Sequence, residues 1–394
     1  MAVPRLMAGN ILRFLTLCGV LFLPGCSPKD PYVPPDLLYL FASYDVGKNP
    51  TAVRAGDFNE DGFSDLVTSN ISANTLSLLL GNGDGSFQAQ VSIRVCKEPR
   101  NLAVLDFNGD AHEDLAIACS GSNQVAIYTG RGGGTFEKDG LYPVHRTPVS
   151  IASGDFNSDG QVDLVAALRN DKLQLLFGNG NGKFRIGPLY EYGDTPTSVT
   201  TADFNQDGHV DMAVTNGGPM SSAVSIWLGQ GDGTFLLPTD YRTGKRPLSV
   251  SCADFNNDGM LDLLVVNGQM NTITVFLGNG DGTFQEGMDS GGDAGPNDGL
   301  AQDFDGDDIP DAAVVNIQSG SISVLFGNGD GTFHYPPRHY RTPRGPFALT
   351  TLIVAPDRGE EPGLAVVNNA ENSVSIFLHH GLKFRHQVGE PAAT

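Results

Sequence analysis

Six acidic nonapeptides at a nearly constant interval restrict this chain to a small set of architectures. They are Asp57-Phe-Asn-Glu-Asp-Gly-Phe-Ser-Asp65, Asp106-Phe-Asn-Gly-Asp-Ala-His-Glu-Asp114, Asp155-Phe-Asn-Ser-Asp-Gly-Gln-Val-Asp163, Asp203-Phe-Asn-Gln-Asp-Gly-His-Val-Asp211, Asp254-Phe-Asn-Asn-Asp-Gly-Met-Leu-Asp262 and Asp303-Phe-Asp-Gly-Asp-Asp-Ile-Pro-Asp311. Their starts lie 49, 49, 48, 51 and 49 residues apart. A period of about 50 residues signals a repeat architecture, in which each unit buries its apolar face against the next. Several short domains, which 394 residues would otherwise allow, are set aside by that period.

One repeat shows what the unit is. In the fourth copy the β-branched run Pro196–Ala202 leads into the acidic loop, and Met212–Asn216 leaves it. Ala223–Leu228 alternates with period two, as a strand buried on one face does. Gly229-Gln-Gly-Asp-Gly-Thr-Phe235 turns the chain, and a last extended piece reaches Tyr241. Four short strands and no helical spacing describe one antiparallel blade.

The Gly-rich turn recurs at Gly81–Phe87, Gly130–Phe136, Gly178–Phe184, Gly229–Phe235, Gly278–Phe284, Gly327–Phe333 and, degenerate, His379–Phe384. That makes seven repeats. The seventh has Ala355–Gly363 where the acidic loop belongs, although its next strand Leu364–Asn368 matches Leu263–Asn267. Loops and turns together place 13 of the 22 Phe at fixed positions, which predicts wedges between neighbouring blades. The expected fold is all-β, a seven-bladed β-propeller with Ca²⁺-binding hairpin loops in six blades. Leu38–Tyr44 resembles the last strand of a repeat and is expected to pair into the seventh blade, fastening the ring.

The acidic loops suit a hard cation. Ca²⁺ takes six to eight oxygens, and side chains at positions 1, 3 and 5 of a tight loop converge on one point. The position 7 carbonyl and the position 9 carboxylate complete the set. The first site would use Asp57, Asn59, Asp61, the Phe63 carbonyl and Asp65; the second, Asp106, Asn108, Asp110, the His112 carbonyl and Asp114. The third would use Asp155, Asn157, Asp159, the Gln161 carbonyl and Asp163; the fourth, Asp203, Asn205, Asp207, the His209 carbonyl and Asp211. The fifth would use Asp254, Asn256, Asp258, the Met260 carbonyl and Asp262; the sixth, Asp303, Asp305, Asp307, the Ile309 carbonyl and Asp311. Metal-free turns would have to hold three carboxylates together without compensation, six times over. Ala111 replaces the turn Gly in the second loop, which predicts a weaker site; the extra charge of Asp305 predicts a tighter sixth. The start of each loop looks like that of an EF-hand, but flanking helices and a position 12 Glu are absent.

Net charge is −21, and the aligned Asp supply 18 of the 45 acidic residues. Such acidity argues against nucleic acid, whose affinity comes from Lys and Arg on phosphates. It argues equally against an electrostatic membrane patch.

Residues 1–25 read as a secretory signal: Arg5 and Arg13, then the apolar run Phe14–Leu23, too short to span a bilayer. Leu23-Pro24-Gly25-Cys26 resembles a bacterial lipobox, which implies lipidation of Cys26, residues 26–36 as a tether and 37–394 as the propeller. Ser27 in second position resembles sorting to an outer membrane. Cys96, Cys119 and Cys252 lie in predicted strands and read as small buried thiols, with a Cys96–Cys119 bridge as the alternative in an oxidising compartment.

The pattern Pro-x-x-Val…Asp-Phe-Asn-x-Asp-Gly-x-x-Asp-Leu…Gly-Asn-Gly-Asp-Gly-Thr-Phe resembles the FG-GAP/VCBS repeat from about residue 45 to 384. The family is similar to the integrin α-subunit propeller, which implies Ca²⁺ loops on one face. It also implies extracellular adhesion, carbohydrate binding or a scaffold beside an enzyme. No family catalytic residue carries over, and the eight His share no metal-site spacing. Trp227 is expected to pack in the core. Tyr142, Tyr190, Tyr192, Tyr241 and Tyr340 could ring one face or pack between blades. The chain is expected to be a monomeric, lipid-anchored, extracytoplasmic adhesion module for a protein or a glycan. A lectin, or a polysaccharide-degrading enzyme working from loops on one face, is the alternative.

Overall fold

The computed structural model describes residues 37–191, 193–218, 221–354 and 361–380. The signal, the tether, Tyr192, the Ala355–Glu360 part of the seventh loop position and the last turn beyond His380 lie outside them. The described residues form seven antiparallel four-stranded sheets. We call their strands a to d, in the order in which they pair. The a strands are Pro50–Gly56, Pro99–Leu105, Pro148–Gly154, Pro196–Ala202, Pro247–Ala253, Pro296–Gln302 and Pro346–Val354, and they define blades 1 to 7. Each opens on a Pro followed by a bulge, where the missing N–H breaks no ladder.

Neighbouring a strands contact one another around an axis. Equal positions meet: Thr51 Oγ1 donates to the Arg100 carbonyl at 2.9 Å, Thr201 Oγ1 to that of Ser153 at 2.7 Å, and Asn297 Nδ2 to that of Phe347 at 2.6 Å. All a strands therefore run the same way. The six acidic loops, which follow them, lie on one face of the disc. The interblade connections and the turns between strands b and c lie on the other. We term these the loop face and the connection face.

The b and c strands are buried on both sides. Asp65–Asn70 is wholly buried, as are Asp211–Asn216 and its counterparts. The period-two reading of Ala223–Leu228 is thus corrected, because each blade is sandwiched between two others and has no solvent face there. Seven apolar clusters result, one per seam; Leu66 and Leu79 pack toward blade 7, whereas Val67 and Leu78 pack toward blade 2. The Phe wedges hold these seams. Phe58 of one loop meets Phe136 of the next blade's turn edge-on, with ring centroids 5.5 Å apart. Phe107–Phe184, Phe156–Phe235, Phe204–Phe284 and Phe255–Phe333 repeat the arrangement.

The expected latch is present. Leu38–Asp45 pairs antiparallel with Ser373–His379, from Leu38 opposite His379 to Asp45 opposite Ser373, and supplies strand d of blade 7. No helix among the described residues is long and apolar enough to cross a membrane.

The cysteines differ from the expectation. Cys96 and Cys119 form a disulfide, with Cα atoms 5.8 Å apart, and Cys96 follows its strand rather than lying within it. The reason is local. In five blades strand b ends on a buried Asn whose side chain meets a Ser or Thr of strand c, as Asn267 does with Thr274 at 2.7 Å and Asn316 with Ser323 at 2.9 Å. Cys119 stands at that position in blade 2, and its sulfur joins the connection leaving blade 1.

Candidate metal centres

Each acidic loop joins strand a to strand b, and its shape is set by its own side chains. In the first, Asp57 Oδ1 accepts from the Asp61 N–H at 3.1 Å and Oδ2 from the Gly62 N–H at 2.9 Å. Asp61 Oδ1 accepts from the Phe63 N–H at 2.9 Å. The third, fourth and fifth loops repeat these contacts. The side chains at positions 1 and 5 are thereby drawn toward the same backbone ring.

Two residues per loop are left-handed. Position 4 has φ between 54° and 80°, and position 6 between 64° and 85°. Gly suits position 6, but Ala111 (φ 68°) and Asp308 (φ 64°) occupy it in the second and sixth loops. Asp308 is a further departure of the sixth loop, beside Asp305 and Pro310, that the expectation overlooked.

The position 9 carboxylate ties the loop to the blade. Asp65 Oδ2 accepts from the Phe58 and Asn59 N–H groups at 3.0 and 3.2 Å, and Oδ1 from the Gly81 N–H at 2.7 Å. The same two-sided grip joins Asp114 to Phe107 and Gly130, Asp163 to Phe156 and Gly178, and Asp211 to Phe204 and Gly229. Asp262 and Asp311 complete the six. All are buried to 1% exposure or less. Burial pushes Asp65, Asp114, Asp163, Asp211 and Asp262 up to about 6 and Asp311 up to about 7; the N–H bonds oppose the shift and the other loop carboxylates add to it. A metal-free loop therefore holds its innermost carboxylate under electrostatic stress, which a bound cation would relieve.

The sixth loop brings three carboxylates together. Carboxylate oxygens of Asp303, Asp305 and Asp311 lie within 4.8 Å of one another. Oxygens 2.3–2.6 Å from a shared Ca²⁺ would be separated by about 5 Å or less. Asp305 is raised by burial and by the charges of Asp307 and Asp303. In the first five loops position 3 is Asn, whose Nδ2 donates to the position 5 carboxylate, as Asn59 does to Asp61 at 2.8 Å and Asn108 to Asp110 at 3.0 Å.

Position 7 side chains point elsewhere. A Cβ on Gly83 would strike the Phe63 ring, and one on Gly231 or Gly280 would strike His209 or Met260. The Gly-rich turns therefore leave room for whatever side chain stands at position 7. His112 Nδ1 pairs with Glu60, and His209 Nδ1 lies 3.2 Å from Ser158 Oγ, so both imidazoles serve contacts between blades. These belong to a series that sequence reading missed. Position 4 of one loop reaches position 6 or 7 of the next, as Gln206 Nε2 does to the Gly259 carbonyl and Asn257 Nδ2 to that of Asp308, both at 3.2 Å.

For Tyr142, Tyr190, Tyr241, Tyr340 and Trp227 the aromatic alternatives are resolved toward packing. Tyr142 and Tyr241 hydroxyls accept from the Phe184 and Phe284 N–H groups of the next blade at 3.1 and 3.0 Å, and Tyr190 donates to the Gly233 carbonyl. Tyr340 packs against the seam of blades 6 and 7, and Trp227 is buried.

Seven radial sheets, six of them opened by an acidic hairpin, make the chain a seven-bladed β-propeller of the acidic-loop class. The family described as FG-GAP-like repeat matches it at residues 57–117, 106–166, 155–214, 203–265 and 254–314. The chain belongs to the FG-GAP repeat family. No curated protein matches it.

Among solved structures, BBS1N in complex with ARL6DN has a TM-score of 0.61 at 12% identity, covering 87% of this chain and 97% of that one. A lectin from Agrocybe aegerita that recognises non-reducing terminal N-acetylglucosamine has a TM-score of 0.52 at 17% identity, covering 75% and 80%. Virginiamycin B lyase from Staphylococcus aureus, catalytically inactive and with quinupristin, has a TM-score of 0.56 at 14% identity, covering 86% and 98%. At such identities the likeness is one of fold. Membership in the family supports a protein- or glycan-interaction module in general terms.

Proposed function

We propose that this protein is an extracytoplasmic, lipid-anchored propeller whose six loops bind structural Ca²⁺ and whose rigid disc presents a binding surface to a protein or glycan. The observation that carries the reading is the sixfold repetition of one carboxylate arrangement around a single face. Metal binding would add folding energy, because the unfolded chain has no formed site. Its role is to hold the loops, and through the position 9 Asp the hairpins, in one shape.

The Cys96–Cys119 disulfide favours an oxidising compartment, in keeping with the signal and the Cys26 lipobox in the sequence. Two acyl chains at Cys26 would anchor the chain stably, with residues 26–36 as the tether. An outer membrane or cell surface is the proposed address.

A glycan array probed with purified protein, in Ca²⁺ and after chelation, tests the binding role. Sugar hits that need Ca²⁺ would specify the lectin form. Product release from a polysaccharide would replace this reading with that of an enzyme. A clean array combined with a specific protein captured from the cell envelope would specify the adhesion form.

A further inference from the structure

The axis of the propeller carries features that the repeat does not require. A cavity of about 670 Å³ runs between the a strands, and four arginines line it: Arg54, Arg100, Arg169 and Arg246. Arg54 is the fifth residue of its a strand, Arg100 the second of its own; Arg169 follows strand b of blade 3, and Arg246 precedes strand a of blade 5. At each of these four positions the other six blades carry no cation. Three of the four sit at the connection-face end, farthest from the acidic loops.

These charges are poorly matched by the protein. Among the described residues none of the four has a carboxylate within 4.0 Å. Arg100 Nε is buried without a hydrogen-bond partner there. Burial, and next the neighbouring Arg169, hold the Arg100 guanidinium below its usual range, with Glu98 opposing. Arg54 donates to the Val53 carbonyl at 2.8 Å and has Asp298, which also lines the cavity, as a counter-charge. Both oxygens of Asp298 already accept from other groups: Ser249 Oγ at 2.7 Å and the Gly299 N–H at 3.1 Å on one, the Leu349 N–H at 3.3 Å on the other. Gathering cations on one axis costs Coulomb energy through their mutual repulsion, as between Arg100 and Arg169, and an anion would offset it.

We propose that the axial channel is an oxyanion site, entered from the connection face, which takes the carboxylate or sulfate of an acidic saccharide. A guanidinium fork matches either group with paired N–H donors. The rest of the wall is rich in hydroxyls and amides, among them Ser150, Thr197, Ser198 and Ser251, which suit a polyhydroxylated carrier better than the side chains of a peptide. The saccharide half of this inference rests on the glycan form of the proposed function; the anion half does not.

The test is titration calorimetry of the full chain in Ca²⁺. The probes are a uronate oligosaccharide, a sulfated one, a neutral one of equal length, sodium sulfate and an oligoglutamate. Binding of an acidic saccharide but not of the neutral one is expected, with affinity falling about tenfold or more in Arg100→Gln and in Arg246→Gln. Arg246 is exposed, so its variant leaves the fold intact, and an unchanged Ca²⁺-dependent melting temperature confirms this for both. Sulfate binding as tightly as the saccharides, or oligoglutamate binding more tightly, would overturn the saccharide while keeping the oxyanion site. Unaltered affinity in both variants, or no response to any anion at millimolar concentration, would overturn the site itself, whatever a glycan array shows for neutral sugars.

Discussion

The two faces of this disc share a repeated backbone, but the residues before the a strands vary where the loop residues recur. On the connection face the residue before each a strand is left-handed in all seven blades, yet it is Asn49, Glu98, Thr147, Thr195, Arg246, Gly295 and Gly345 in turn. On the loop face the left-handed positions recur just as faithfully, and Asp at positions 1, 5 and 9 recurs with them. A propeller therefore needs the backbone geometry on both faces, but only the loop face needs the same chemistry six times. Repetition of side chains marks a shared demand. Its absence marks freedom to differ, which is where Arg100, Arg169 and Arg246 arise.

Chelation should produce the largest effect on this contrast. On the proposed reading each site would add about 2.7 kcal/mol when free Ca²⁺ exceeds its Kd a hundredfold. EDTA is therefore expected to lower the melting temperature by many degrees. A melt unchanged by EDTA would remove the reason for the repeated carboxylates. Reduction of Cys96–Cys119 acts on the opposite face and should cost about 3 kcal/mol, the entropy of its 23-residue separation. Cys119→Ser should show the same loss, equal with and without Ca²⁺.

Within one loop, Asp262→Ala should destabilise by about 2–3 kcal/mol even in EDTA, because it strands the buried N–H groups of Phe255 and Gly278. Asp254→Ala, at a half-buried loop position, should act chiefly in Ca²⁺. Equal losses in both conditions for both variants would deny the loops a role in binding the ion.

Acidity should separate the two states in sign. Without metal, Asp262 and its equivalents titrate near 6 in the fold, above the ordinary carboxylate value of an unfolded chain. The native state binds more protons between those limits, so metal-free stability should fall as pH rises from about 4 to 6. Ca²⁺ needs the carboxylates ionised, so its stabilising increment should grow over the same range. Melts at several pH values, with and without Ca²⁺, would reveal parallel slopes if the Asp were not ligands. The smallest effect belongs to Ala111→Gly, which relieves a left-handed Ala and should stabilise by about 0.5–1 kcal/mol.

What could be read without coordinates was what repeats. The blade count, the Phe wedges and the latch strand followed from residues that recur at one interval. Their partners recur too, so each assignment was made several times over. The links from position 4 were hidden because Glu60, Ser158, Gln206 and Asn257 share only polarity. The disulfide had a signal: Cys119 occupies the place of Asn70, Asn216, Asn267, Asn316 and Asn368, and a break in a buried polar series asks for a reason. The axial arginines gave no sequence signal, since they lie far apart along the chain and meet only when the ring closes.

The pairing of Leu38–Asp45 with Ser373–His379 has a consequence for biogenesis. This segment is made before any blade, yet it acquires its partner only after the final blade has been made. Throughout synthesis the growing polypeptide carries an orphan edge, together with two unsealed ends. Docking of that edge is then the last irreversible-looking event of maturation, and any truncation before Ser373 leaves an arc instead of a circle.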